Sequence, residues 1–475
     1  VIDGSVVAEG IDTGSSDYSR TKAENGDATY PEGSVALTLG SGIDHGLGIS
    51  STGTVKTLGT AEAILISPSV LYGSSNFVDD DGNSMVISQV IGLYNDANHP
   101  GFAIDNAGTV SISPVNVNVS AKAAIEILGG GSSYPTIITG GIYNSGTISA
   151  AVRNYTDKPT TVSATGLLLS GYVYVGGAGT GGSYTTPTSV DYTKDGYTCS
   201  GGGTALPSCS YTSGLTGTAK NADDAASLVN SGTISVTAGL TTDSSGKVKT
   251  TGTGAASTAA IYISSNSRLS SILNSGTIAA VSEIDPDYTD TVTSLSATAI
   301  VDYSGTLTYI KNTGTIEALT TTLDNDAQSN IAIYLYGNTQ TDSGKGVTII
   351  NQATAKGAAT IIGDIHFGDG DNQQIYLEGT STYASTLTGD ITYGGSTVTG
   401  RDVVTGLDNG DLLYVGENSV FSGKVTATNG VNVVVKNTGT LNLLNDETTL
   451  KVTDLTVESG GTLNVNVSDE MEDTG

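Results

Sequence analysis

Hard oxygen donors, a cysteine pair and grouped tyrosines are the residues of this chain whose types and spacing suggest chemistry. Asp79-Asp80-Asp81-Gly82-Asn83 and Asp369-Gly370-Asp371-Asn372 gather carboxylate and amide oxygens on glycine corners. Such donors suit Ca2+, so Asp79, Asp81, Asn83, Asp369 and Asp371 are the candidate ligands and Ca2+ the one cofactor suggested. Neither turn has the EF-hand register, and the second only grazes the Gly-Gly-x-Gly-x-Asp nonapeptide without repeating it. Solvated acidic turns are the plainer reading. Cys199 and Cys209 are the two cysteines, separated by Ser-Gly-Gly-Gly-Thr-Ala-Leu-Pro-Ser with no nearby histidine. That pattern reads best as a local disulfide in an oxidising compartment, the alternative being two free buried thiols. Around the cysteines lie Tyr184, Tyr192, Tyr197 and Tyr211, a candidate binding loop.

Catalytic groupings are harder to find. Arginine occurs at 20, 153, 268 and 401 and histidine at 45, 99 and 366, all far apart in sequence. No Gly-x-Ser-x-Gly elbow is present, which argues against a serine hydrolase of that type. A polysaccharide-cleaving site needs carboxylates gathered with basic residues on one face, and no segment supplies that set. The chain therefore reads as non-enzymatic.

The elements that must position these residues are repeats. Asn106-Ala-Gly-Thr-Val110, Asn144-Ser-Gly-Thr-Ile148, Asn230-Ser-Gly-Thr-Ile234, Asn274-Ser-Gly-Thr-Ile278, Asn312-Thr-Gly-Thr-Ile316 and Asn437-Thr-Gly-Thr-Leu441 are copies of one motif. Each runs into an alternation with apolar residues two apart, such as Ile278 and Ala280, which is the period of a half-buried strand. Asn and Gly tolerate left-handed backbone, so each strand is expected to follow a tight corner. A second motif lies between the copies: Ala121-Lys-Ala-Ala-Ile125-Glu-Ile127, Ala259-Ala-Ile261-Tyr-Ile263, Ala297-Thr-Ala-Ile300-Val301 and Asn330-Ile-Ala-Ile333-Tyr-Leu335. The Asn spacings are 38 (106 to 144), 86 (144 to 230), 44 (230 to 274) and 38 (274 to 312).

Two strand motifs per period predict paired coils of roughly 20 residues in an all-β, right-handed parallel β-helix. Some 18 to 20 coils would then make a rod roughly 90 Å long. A propeller also repeats near 40 residues but usually carries an aromatic signature per blade, and tryptophan is absent here. A leucine-rich horseshoe needs leucines at fixed steps that do not occur. The expected organisation is an irregular cap or arm over 1–33, paired coils over 34–362, further coils over 363–467 and an acidic linker over 468–475. About 40 extra residues, near 176–224, interrupt the coils and carry both cysteines. In repeat proteins such an insertion projects from one face, as a binding surface or as a pinned decorative loop. Tyr143, Tyr262, Tyr303 and Tyr334 alternate with apolar residues and should face outward, either as a stacked external ladder or as a binding surface.

Composition narrows the partners. With 475 residues, 64 glycines and a formal charge of −29, the chain repels nucleic acid and anionic membrane, both of which need a basic footprint. No run of 18 apolar residues occurs, so no helix of this segment is expected to span a bilayer, and Val1 does not begin a signal peptide. The chain reads as a processed segment or a fragment.

Together the Asn-x-Gly-Thr-Ile repeats, Gly363-Asp-Ile-His-Phe-Gly-Asp-Gly-Asp-Asn372, and the Thr-Gly-Thr-Leu and Gly-Gly-Thr-Leu turns near the end resemble the passenger domains of bacterial autotransporters, over about 34–467. The resemblance implies type V secretion, an extracellular or outer-surface location on a Gram-negative bacterium, and a C-terminal outer-membrane barrel. The family includes adhesins, proteases, esterases, toxins and surface-layer proteins, so the likeness is specific for architecture. The expected function is a rigid cell-surface or secreted structural and adhesive rod that associates with itself as an array or filament. Two alternatives stand beside it: an adhesin that binds a host receptor or surface glycan through the 176–224 insertion, and a polysaccharide lyase, hydrolase or tailspike-like depolymerase.

Overall fold

Alternation of buried and half-buried residues along many of the strands, such as Thr161–Ser170 and Gln374–Glu378, sets the architecture, because a period of two gives a sheet an inside and an outside. The computed structural model describes residues 1–8, 35–39, 46–59, 61–67, 89–91, 102–113, 122–130, 135–138, 140–154, 161–176, 197–200, 208–211, 226–240, 253–284, 291–321, 328–336, 346–369, 373–394, 411–427, 430–444 and 450–465. These residues form a parallel β-helix with three long faces of 11, 12 and 10 strands. A shorter three-stranded parallel sheet, Gln89–Ile91, Thr136–Ile138 and Val173–Val175, lies between the third face and the first.

One coil visits the faces in order. Ser271–Asn274 lies on the first face, Thr277–Ile284 on the second and Thr291–Asp302 on the third. Each strand pairs in parallel with its counterpart one period later: Asn274 with Asn312, Ile278 with Ile316, Val301 with Tyr334. The two sequence motifs are thus two faces of one coil, and the expectation of paired 20-residue coils is corrected. The longest sheet has 12 rungs. At about 4.8 Å per rung the stack is roughly 50 Å long, not 90 Å. Both motifs alternate in the same way, so periodicity alone could not tell a new coil from a new face. Coils of about 20 residues do occur near the end, where Thr440 pairs with Thr462.

Ser5–Ala8, inside the stretch expected to be irregular, pairs with Thr54–Thr57 and adds a rung to the second face. Inside the stack, Ile, Leu and Val line up in axial rows such as Val110, Ile148, Ile234, Ile278 and Ile316, all buried in one core. Fully burying such a side chain is worth about 1.5–3 kcal/mol, so stability accrues rung by rung.

From Asn106 to Asn312 the corners between the first and second faces are three residues wide, and stacked amides hold them. Asn106, Asn144, Asn230, Asn274, Asn312 and Asn351 are all buried, and each Nδ2 donates to the Oδ1 of the next, 2.7 Å at every step. The same Nδ2 also donates to a backbone carbonyl of the next coil, as Asn274 does to Thr315 at 3.0 Å. Asn437, expected to belong to this row, is exposed and lies outside it. There the corner is two residues wider, and Val435 takes the register position through Val415 and Leu377 to Asn351.

The glycine of the corner serves a different purpose from the one expected. Left-handed glycines among the described residues are Gly171, Gly305, Gly363, Gly389, Gly430 and Gly460, not those of the repeat. At Gly276 a Cβ would come within 2.0 Å of the Gly232 carbonyl oxygen in the coil before. Close stacking, not left-handed backbone, excludes a side chain there.

Gly276→Ala should therefore abolish cooperative thermal unfolding or cost more than about 3 kcal/mol, since backbone must move. Gly357→Ala, where a Cβ meets nothing within 4 Å, should stay within about 0.5 kcal/mol. Asn274→Ala should cost roughly 2–4 kcal/mol, because it removes one buried hydrogen bond from Asn230 and one from Asn312. Thermal denaturation with limited proteolysis separates the three.

Candidate functional site

Outward positions of the third face carry side chains in axial rows. Register stacks Ser163, Ser257, Ser296 and Ser329 in one axial row, and Thr165, Ala259 and Thr298 in the next. A third row contains Leu168, Tyr262, Val301, Tyr334 and His366. Strands of 8 to 12 residues hold these rows, Thr161–Ser170, Thr253–Ile263, Thr291–Asp302 and Gln328–Leu335, so three rows fit side by side. Apart from Ser329 and Leu168, the residues of these rows line a trough of about 610 Å³.

Aromatic rings form one wall. Tyr262 and Tyr303 have ring centroids 5.5 Å apart, Tyr303 and Tyr334 5.9 Å, and Tyr334 and His366 6.0 Å. Tyr336, 63% exposed, stacks on Tyr334 at 5.9 Å. Tyr303 lies two residues beyond the register row. Its ring takes the place between Tyr262 and Tyr334 while Val301 is buried in the row itself. Burial first, and then the Tyr303 ring, pushes the Tyr262 and Tyr334 phenols above their ordinary range, so both stay neutral at physiological pH. The outward tyrosine ladder expected for Tyr262, Tyr303 and Tyr334 is present. Tyr143 lies on the first face, 5.2 Å from Phe102.

Asp302 holds the corner behind the trough. Its buried carboxylate accepts from the Ser304 amide at 2.8 Å, the Ser304 hydroxyl at 2.5 Å and the Leu307 amide at 3.2 Å. Burial raises its pKa, and the hydrogen bonds oppose that rise. Its work is to satisfy corner amides that would otherwise be stranded.

A second aromatic group sits on the first face. Tyr376 and Tyr414 are 5.6 Å apart, and Lys436, ion-paired to Glu458, lies 6.0 Å from the Tyr414 ring centre. Near the start of the stack, Glu62 is buried and shares a hydrogen bond with Glu126. Burial, the Glu62 hydrogen bond and the Glu62 charge raise Glu126 to about 7, against Lys122 and Ser170. Neither carboxylate was singled out from sequence. The sequence carries a signal, since Glu126 lies in a copy of the second motif and Glu62 in the similar run Ala61-Glu-Ala-Ile64-Leu-Ile66, but the contact depends on pairing Leu65 with Glu126.

Of the expected ligands, Asp369 is an exposed residue, while Asp79, Asp81, Asn83 and Asp371 lie outside the described residues. Among the described residues no group of three or more His, Cys, Asp or Glu side chains is placed to hold a metal. Cys199 and Cys209 are direct backbone partners in an antiparallel ribbon, Tyr197–Ser200 with Ser208–Tyr211, in which Tyr197 also faces Tyr211. The side chains of these four residues lie outside the described residues, as do Tyr184 and Tyr192, so the expected disulfide is not part of the described structure. No helix among the described residues is long and apolar enough to cross a membrane.

Comparison with family models, with curated proteins and with solved structures finds no match to this chain.

The Glu62–Glu126 contact has a defined pH dependence. A carboxyl whose folded pKa is raised contributes stability that is present below its ordinary value near 4.5 and lost as pH rises through about 7. The loss is about 3 kcal/mol undiscounted, cut to roughly 1–2 kcal/mol by the carboxyl's contact with water. Glu126→Gln should accordingly melt above the wild type at pH 8 and close to it at pH 4.5. Calorimetry across that range checks the crossover.

Proposed function

We propose that this chain is a non-enzymatic structural and adhesive rod of the outer surface of a Gram-negative bacterium, an autotransporter passenger that also associates with itself. The parallel β-helix and the Asn-x-Gly-Thr-Ile repeats support the passenger reading. One observation carries self-association. In the last described coil Leu455, Val457 and Val465 are 47%, 40% and 58% exposed, whereas their register partners one coil earlier, Val433, Val435 and Leu443, are 2%, 0% and 8% exposed.

These are core positions that want another rung. Val452–Val457 and Thr462–Val465 are the last strands of their sheets among the described residues, and such an edge is a template for further parallel strands. A second copy stacked end to end is the occupant proposed, and it would bury this apolar surface and complete backbone hydrogen bonds. The acidic surface favours an end contact over a lateral one, because like charges meet along the sides unless cations intervene.

Light scattering behind size-exclusion chromatography tests this. Concentration-dependent oligomers should persist in excess chelator and fall to monomers in a Leu455→Asp, Val457→Asp double variant. A monodisperse monomer for the unmodified chain contradicts self-association, and dispersal by chelator alone shifts the contact to carboxylates bridged by Ca2+.

The backbone pairing of Cys199 with Cys209 favours a disulfide formed outside the cytoplasm, since directly opposed positions on two antiparallel strands lie within disulfide range. Alkylation under denaturing conditions should add no mass until reductant is present. Two alkylated thiols without reductant would contradict it.

A further inference from the structure

We propose that the trough on the third face is a binding site for a neutral, unbranched oligosaccharide lying along the helix axis. The trough is not a by-product of the repeat. Inward residues and the asparagine corner suffice to build coils, yet outward positions hold a serine at four successive rungs, Ser163, Ser257, Ser296 and Ser329. Beside that hydroxyl row runs the aromatic wall of Tyr262, Tyr303, Tyr334 and His366.

Sugar chemistry matches this pairing. A pyranose ring has an apolar C–H face that packs on an aromatic ring, and an equatorial rim of hydroxyls that exchange hydrogen bonds with serine and threonine. Rings held 5.5 to 6.0 Å apart by their neighbours are already arranged, so little entropy is lost when a ligand stacks on them. The trough crosses several coils at right angles to the strands, which suits a linear polymer and not a compact ligand.

Charge selects among polysaccharides. No carboxylate, lysine or arginine lines the trough, and its one imidazole, His366, lies 3.9 Å from the Asp364 carboxylate, so no fixed positive charge there is offered to an anionic sugar. A formal charge of −29 over the whole chain repels uronates and sulfated sugars. A peptide strand is disfavoured as well. Strands in the middle of the sheet are bonded on both sides, as Thr253–Ile263 is to its two neighbours, so no edge is offered for strand addition.

Binding is read on the monomeric fraction, so it is independent of self-association. Titration calorimetry gives the affinity, and the part of any tyrosine fluorescence change that is lost in Tyr334→Ala reports on the stacking rings. Cellohexaose, chitohexaose and maltohexaose are the probes, with hexagalacturonate as the anionic comparison. At least one neutral hexasaccharide should bind saturably, about tenfold tighter than its disaccharide and than hexagalacturonate.

Tyr334→Ala should weaken that binding by about tenfold, while Tyr334→Phe, which keeps the ring, should stay within about threefold. Ser257→Phe, which puts bulk into the trough from an outward position, should abolish it. Tyr414→Ala, on the first face, should leave it unchanged, as circular dichroism confirms that each variant is folded. Failure of all three neutral hexasaccharides to bind at millimolar concentration overturns the proposal. So does an affinity untouched by Tyr334→Ala and Ser257→Phe, or one lost equally in Tyr414→Ala.

Discussion

A row of buried side-chain amides is the constraint on which the rest of this molecule depends. From Asn106 to Asn351 each carboxamide accepts from the coil before and donates to the coil after, at 2.7 Å throughout. A buried amide without partners costs more than a paired one gains, so a slip at any rung strands groups on two coils. From Asn106 to Asn312 that penalty accompanies a corner from first to second face of three residues, with glycine carbonyls so close that no Cβ fits between coils. Over those coils length variation falls in the other corners. The second and third faces are joined across 113–122, 155–160, 241–252 and 285–290, and the third face returns to the first across 129–140, 171–227 and 303–308. The segment with the cysteine ribbon falls in those connections, whereas the corner after Asn351 is itself longer and reaches the second face at Ala359.

Where the amide row stops, the stack changes character. The Asn351 side chain hands over to Ser385, donating to its hydroxyl at 2.9 Å while that hydroxyl donates back to the Asn351 carbonyl at 2.6 Å. Beyond it Leu377, Val415 and Val435 occupy the same register, and apolar packing replaces the amides. A shorter polar row, Asn464 to Asn442 to Ser422, appears on the second face near the end. Corners in this half are wider, from Val435 to Thr440 for instance, and left-handed backbone at Asn418 and Thr438 turns them. One fold is thus held by two corner chemistries, and the amide-bound half carries the longest strands of the third face. Long strands give outward rows enough width to form a trough, which links the corner constraint to the surface where a ligand would lie.

Much of this was legible in the residues. Alternating Ile, Val and Ala after Asn-x-Gly-Thr gave strand and corner directly, and the outward tyrosines at 262, 303 and 334 do stack. Other features depended on which residues sit side by side across some 40 positions of sequence. Both motifs look like the start of a coil, so the number of coils was overestimated. Asn437 keeps the local motif but sits in a wider corner, while Asn351 lacks the Gly-Thr signature and still closes the row. The repeat glycine is small because of a carbonyl in another coil, which no local pattern reveals. The serine row, the displaced Tyr303 ring and the Glu62–Glu126 contact are likewise products of register. Chemistry read from single turns fared differently, since most of the expected Ca2+ ligands lie outside the described residues.

The account rests on one period making one coil, and a distance along the axis tests it most directly. Tyr143 and Tyr414 occupy the same outward row of the first face, linked through Val229, Leu273, Lys311, Ile350 and Tyr376. Six rungs separate them, about 29 Å at the strand spacing. Spin labels at Tyr143→Cys and Tyr414→Cys, with Cys199 and Cys209 replaced by serine, would report that separation by pulsed electron double resonance. A distance near 30 Å is the expected result. A distance near 65 Å, as coils of roughly 20 residues would require, would contradict the account.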